Sequence, residues 1–186
     1  MKKVLISKKP KIIDDIIFWL ENAVIGLGLC PFAKPVWQAQ KIRFVVSGSN
    51  NEESLLLDLA DEFLFLEQHE SVETTLLIIP DCLQNFDDFN QFLNMSDALL
   101  GQYDWGDRFQ IASFHPQYQF SGTNPDDREN WTNRAPYPVL HLLRGDSLTA
   151  AVENHPSTEL IPTVNIEKLN SLDKCEFERI FKVKNK

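Results

Sequence analysis

The chain reads as an α/β protein, a small mostly parallel sheet flanked by helices in a three-layer or thioredoxin-like arrangement. Three observations predict this. Strand-like segments alternate with helical ones along the middle of the chain, an order that favours parallel pairing through right-handed crossovers. One strand-like run is apolar without alternation, as in a strand buried on both faces. Finally, 43% of the 186 residues are hydrophobic, enough for a proper core.

The elements follow in order. Pro10 to Ile25 is predicted to be helical, with Ile13, Ile16, Ile17, Leu20, Ala23 and Val24 on its apolar face. Pro10 suits the first turn and Gly26 the exit. The next stretch, Gly26-Leu27-Gly28-Leu29-Cys30-Pro31-Phe32, is apolar but cannot continue a helix. Lys41–Ser47 alternates as a strand, with Ile42, Phe44 and Val46 on one face. A turn at Gly48-Ser49-Asn50-Asn51 leads into a helix from Glu52 to His69, where Ser49 with Glu52 or Asn50 with Glu53 could form a capping box. Thr74–Ile79 is the continuous apolar strand. Asn85–Leu100 is a helix with Phe86, Phe89, Leu93 and Leu100 inward and Gly101 as its stop. Arg108–Phe114 is the third strand. Tyr137–Leu143 suits a fourth, with Val139, His141 and Leu143 on one face. A short helix at Ser147–Glu153 and a last one at Ile166–Phe181, capped by Asn165, complete the chain. One domain over 1–186 is expected, with its core at about 10–153 and a C-terminal helical extension at about 165–182.

A net charge of −9 and a pI near 4.9 disfavour general binding to nucleic acid or to an anionic membrane surface. The start, MKKVLISKKPKIIDD, is basic but broken by Asp14 and Asp15, which makes it a poor secretory signal. No window approaches the roughly 18 consecutive apolar residues of a membrane span. A soluble, cytoplasmic protein is the expectation, its three scattered cysteines reduced. No CxxC pair exists, so a zinc ribbon or a thioredoxin-type redox centre is not indicated.

The most informative segment joins the third strand to the fourth. It reads HPQYQFSGTNPDDRENWTNRAPY, from His115 to Tyr137. Connections beyond about 12–15 residues are uncommon in compact domains and often functional. In open α/β sheets, ligands bind beyond the carboxyl ends of parallel strands, where this segment begins. His115 is a candidate for proton transfer, with a capping or hydrogen-bonding histidine as the alternative. His141 reads as a packed strand residue unless its face lines a cleft. His115, Asp126 and His141 are candidate ligands for a divalent metal, although their spacing matches no metal signature. Arg134 and Arg144 could hold a carboxylate or phosphate, or form ordinary ion pairs. Cys30 is a candidate nucleophile beside His115 or His141, against the commoner reading of a buried, inert thiol. Gly26-Leu27-Gly28 fails as a dinucleotide fingerprint, since Pro31 holds the third glycine position. Gly48-Ser49-Asn50-Asn51 lacks a Walker ending and reads as a plain turn.

Four strings in one order, GLCPFA followed by Pro35-Val36, ETTLLIIP, ASFHPQYQF and DDRENWTNRAPYPVLHLLR, resemble the bacterial family described as domain of unknown function 1415. The resemblance spans about Trp19 to Ala151. It implies a shared pattern and brings no mechanism. The positions matching that pattern are Cys30, Glu73, His115, Pro116, Asn130, Asn133, Arg134, Pro136, Tyr137, Pro138, His141 and Arg144. A glutamate is expected after Leu-Leu-Arg, where this chain has Gly145; Asp146 would have to take over any role of that carboxylate.

Three functions fit. A small-molecule enzyme, by hydrolysis or group transfer on an anionic substrate, would use His115 as proton carrier, Arg134 and Arg144 as anion holders, and Asn130, Asn133 and Tyr137 as orienting groups. A binding module would recognise a metabolite or peptide with the same loop and no chemistry. A structural network would bury those side chains against backbone and leave no cavity. The enzyme reading requires His115, Arg134 and Tyr137 to line one pocket, and Cys30 is expected to be largely buried. The sequence does not decide cofactor or oligomeric state.

Overall fold

The computed structural model describes residues 9–154 and 157–181; the basic start at 1–8, read as a poor secretory signal, lies outside them. Helix α1 (Lys9–Trp19) passes directly into a π-helical segment, Leu20–Ile25. A short α2 (Ala33–Gln38) follows, then strand β1 (Ile42–Val46), α3 (Glu52–Gln68), β2 (Thr74–Ile78), α4 (Phe86–Gln102) and β3 (Phe109–Phe114). The long connection holds one 3-10 turn, Arg128–Thr132. Strand β4 (Val139–Arg144) and α5 (Gly145–Glu153) come next, then α6 (Ile161–Ser171) and α7 (Lys174–Phe181).

The sheet order is β1-β2-β4-β3. Strands β1 and β2 pair in parallel, joined by the crossover helix α3, whereas β4 pairs antiparallel with both β2 and β3. The expectation of a mostly parallel sheet is therefore corrected. β1, β2 and β3 do share one direction, as the strand–helix alternation implies. β4 alone reverses, and it inserts between β2 and β3, so a single pair of neighbours is parallel.

Each sheet face has its own core. On one side Leu77 and Ile79 of the β2 segment and Leu140 and Leu142 of β4 pack with Leu59 and Phe63 of α3 and Phe89 and Phe92 of α4. On the other, Leu76, Ile78 and Val139 pack with Ile16, Trp19 and Leu20. The period-2 alternation of a strand assigns these sets to opposite faces. All five residues of β2 are buried, as its unbroken apolar run predicts.

Several local details differ from the sequence reading. Asn51, not Ser49 or Asn50, caps α3, accepting from the Ser54 amide at 2.9 Å. Ser47 and Ser49 instead donate to Asp58 (2.5 and 2.8 Å) and fix the turn below it. The C-terminal segment forms two helices rather than one. Asn165 lies inside α6 and donates to the Leu29 carbonyl at 2.9 Å.

Candidate functional site

The connection from His115 to Tyr137 bonds largely to itself. Asn130 is fully buried; its Oδ1 accepts from the Phe120 amide and the Thr123 hydroxyl, both at 2.9 Å, and its Nδ2 donates to the Asn124 carbonyl at 2.8 Å. Asn133 donates to Ser113 O at 3.1 Å and so ties the returning chain to the end of β3. Arg134 donates to the carbonyls of Tyr118 (3.0 Å) and Pro125 (2.7 Å) and lies over the Trp131 ring. Arg128 donates to the carbonyls of Leu169 and Leu172, fastening the loop to α6.

His115 is fully buried between Phe86 and Phe89 of α4. The Gln117 amide donates to its Nδ1 at 3.0 Å. The proton therefore sits on Nε2, which donates to the Leu83 carbonyl at 3.1 Å. Both ring nitrogens are committed to backbone, and burial pushes the imidazole pKa below its usual value.

The expectation that His115, Arg134 and Tyr137 line one pocket is overturned. Arg134 borders an open polar hollow with Asn85, Asp87, Gln117 and Asp126, which His115 and Tyr137 do not line. Tyr137 packs against the core under α1 and donates to Asp15 at 3.3 Å; burial and that carboxylate raise its phenol pKa. Arg144 also donates to backbone. Its Nε donates to Val72 O and its Nη2 to the carbonyls of Leu66, His69 and Val72, at 2.6–3.1 Å, which caps the C-terminal end of α3. The proposed metal ligands are not gathered: Asp126 lines the polar hollow, and the two histidines lie on opposite sheet faces. Among the described residues no group of three or more His, Cys, Asp or Glu side chains could hold a metal ion.

A different cavity assembles the remaining candidates. It occupies about 390 Å3 against the sheet face covered by α1 and its π-helical continuation. Trp19, Leu20 and Val24 form one wall; Leu76, Ala112 and Phe114 form the floor; Pro31, Phe32 and Val36 close one side. Ile42 and Thr74 open their strands, and Leu143 comes near the end of β4. The cavity thus lies on the sheet face, reaching from Ile42 and Thr74 at the amino ends of β1 and β2 to Phe114 at the carboxyl end of β3.

Cys30, Glu73 and His141 all line this apolar space. The route that brings Cys30 there is local. The π-helical segment ends at Gly26, where a Cβ would stand 2.5 Å from the Asn22 carbonyl oxygen, and Gly28 then turns the chain at φ +71°. The Cys30 amide closes the turn on Val24 O at 3.4 Å, and Asn165 holds the preceding carbonyl. Cys30 is largely but not fully buried, as expected. Desolvation raises its thiol pKa, opposed by the backbone N–H groups of Phe32 and Ala33. His141 is half-buried within the cavity wall, and desolvation pushes it down to about 4, so it is neutral at pH 7. Glu73 lines the same space, and its Oε1 is buried without a hydrogen-bond partner.

Gly145 gives its amide to Arg108 O at 2.7 Å, and a Cβ there would lie 2.9 Å from the Asp107 carbonyl oxygen. Any side chain at this position requires the Asp107–Arg108 backbone to shift. Asp146 is exposed in the first turn of α5 and lines neither hollow. Glu73, rather than Asp146, brings a carboxylate to the cavity.

A mixed four-stranded α/β sheet with an apolar pocket on one face is the class that fold and site define. The chain belongs to the family described as protein of unknown function (DUF1415), whose model matches residues 11–179. No match was found among curated proteins or solved structures. No helix among the described residues is long and apolar enough to cross a membrane.

Proposed function

We propose that the protein binds an apolar small molecule in the cavity between the sheet and the α1/π-helical segment. One observation carries this reading: a space of about 390 Å3, walled mostly by aromatic and aliphatic side chains, with a few polar residues, Cys30 and His141 among them, in its lining. Ligand sites have this make-up, mostly apolar with a few placed polar groups. The arginines once assigned to an anionic substrate donate to backbone carbonyls instead, so an apolar ligand replaces an anionic one.

The test uses a neutral apolar fluorophore, N-phenyl-1-naphthylamine. Its emission is expected to rise on addition of the protein. Ala112→Phe, which fills the cavity floor, is expected to abolish that rise while leaving the circular dichroism spectrum unchanged. No enhancement, or enhancement indifferent to Ala112→Phe, refutes the proposal.

A further inference from the structure

We infer that His141 makes the cavity selective for a neutral apolar molecule that carries a hydroxyl group, an inference that rests on the cavity being a ligand site. The position of β4 inside the sheet fixes where the ring lies. His141 stands opposite Leu76 of β2 and opposite Ala112 of β3. Directly opposed residues project from the same sheet face. Leu76 and Ala112 both line the cavity, as His141 does. The ring of Phe114, another lining residue, lies 6.3 Å from the imidazole between centroids.

The imidazole is polar and unengaged. Both ring nitrogens of His115 bond to backbone, but among the described residues neither nitrogen of His141 has a hydrogen-bond partner. The unpartnered side-chain atoms sealed in the interior are Glu73 Oε1 and Thr75 Oγ1. The nitrogens of His141 are not sealed with them, so both keep accessible surface. With a strand on either side and Leu76 and Ala112 beside it, the space that surface meets is the cavity. Two other polar lining side chains are turned elsewhere. The Thr74 hydroxyl donates to Leu142 O at 2.5 Å, and the Arg144 guanidinium donates to carbonyls where α3 ends.

Burial keeps the imidazole neutral at pH 7. A neutral imidazole offers one N–H donor and one bare nitrogen acceptor. A hydroxyl suits either, since its oxygen both donates and accepts. An ammonium or a carboxylate would surrender its hydration to an apolar wall, which costs far more than desolvating a hydroxyl.

Three probes of matched size test this: 4-phenylbutanol, pentylbenzene and 4-phenylbutyrate, each displacing N-phenyl-1-naphthylamine from the wild-type protein and from His141→Phe at pH 7. Pentylbenzene has a methyl group where the alcohol has its hydroxyl, and comparing the two ligands on both proteins cancels their difference in hydration. From wild type to His141→Phe, the alcohol is expected to lose at least about fivefold in affinity relative to pentylbenzene. The carboxylate is expected to bind the wild type most weakly. In wild-type protein carrying isotope-labelled histidine, 4-phenylbutanol is expected to move the NMR shift of a His141 ring nitrogen far more than pentylbenzene does, a result that stands even where the variant fails to fold. An unchanged alcohol-to-hydrocarbon ratio, ring nitrogens that answer both ligands alike, or carboxylate binding as tight as the alcohol's overturns the role of His141 and leaves the cavity reading standing. Displacement by none of the three overturns both.

Discussion

His115 and His141 stand on opposite faces of the same sheet. His115 packs between the phenylalanine rings of α4, and His141 looks into the cavity beneath α1. Each is held neutral by burial, which lowers both pKa values, His141 to about 4. Their shared physical consequence is a stability that depends on pH. Unfolding releases each imidazole to take up a proton near pH 6.5, whereas the folded protein resists protonation until lower pH. Stability is complete above pH 6.5 and is lost as pH falls toward the folded value. For His141 the loss reaches about 3 kcal/mol near pH 4. Urea titrations at pH 7 and pH 4.5 should show a smaller difference for His141→Gln than for the wild type. Equal differences would mean that His141 titrates normally in the folded protein.

Arg144 is a structural residue by its hydrogen bonds, since its guanidinium gathers three carbonyls where α3 ends. Removing it leaves those carbonyls unpaired at a helix terminus. Arg144→Met should destabilise the fold by about 2–4 kcal/mol in urea denaturation. Binding of N-phenyl-1-naphthylamine under native conditions should persist. Lost binding with an unchanged denaturation midpoint would instead place Arg144 at the ligand.

The fold was legible where periodicity and burial coincide. The run Thr74–Ile79 and the alternation around His141 each point to the burial they have. Strand order was not legible, because nothing in Val139–Arg144 says that it inserts between β2 and β3. That register decides the site: Ala112 stands opposite His141, so odd-numbered His115 falls on the other face from Ala112 and His141. The long loop was correctly found to be unusual, but for another reason. Its Asn130, Asn133 and Arg134 are the hydrogen-bond partners a long turn-rich segment needs when little regular structure satisfies its backbone. Glu73 stands out in the sequence only as a position matching the family pattern, although a carboxylate abutting a doubly buried strand is an unusual neighbour for Thr74-Thr75-Leu76-Leu77. Its missing partner is visible only in three dimensions.

Among the described residues, Thr75 joins Glu73 in having a buried side-chain oxygen without a partner. It is fully buried in β2, its Oγ1 has no partner, and its position on the strand faces α3 and α4. An unmade hydrogen bond in that core costs more than a methyl group of the same shape. Thr75→Val should therefore stabilise the protein by about 1 kcal/mol, seen as a higher denaturation midpoint at unchanged slope. A lower midpoint would show that the hydroxyl has a partner in solution.

Cysteine reactivity separates the cavity from the surface within one experiment. Cys175 is exposed on α7, while Cys30 lines the cavity and its thiol pKa is raised by desolvation. Only the thiolate is alkylated at an appreciable rate, so burial slows Cys30 twice, through access and through the thiolate fraction. With iodoacetamide at pH 7, peptide mapping should find Cys175 modified first and Cys30 well behind it. Raising the pH toward 9 and beyond should accelerate Cys30 steeply, because its raised pKa defers formation of its thiolate to that range. Saturating the cavity with N-phenyl-1-naphthylamine should slow Cys30 several-fold and leave Cys175 unaffected, since the probe competes for space only where Trp19, Leu20 and Phe114 enclose it. A Cys30 that reacts faster than Cys175 at pH 7, or is indifferent to the probe, would mean that its thiol faces bulk water and that the cavity is not where ligand and sulfur meet.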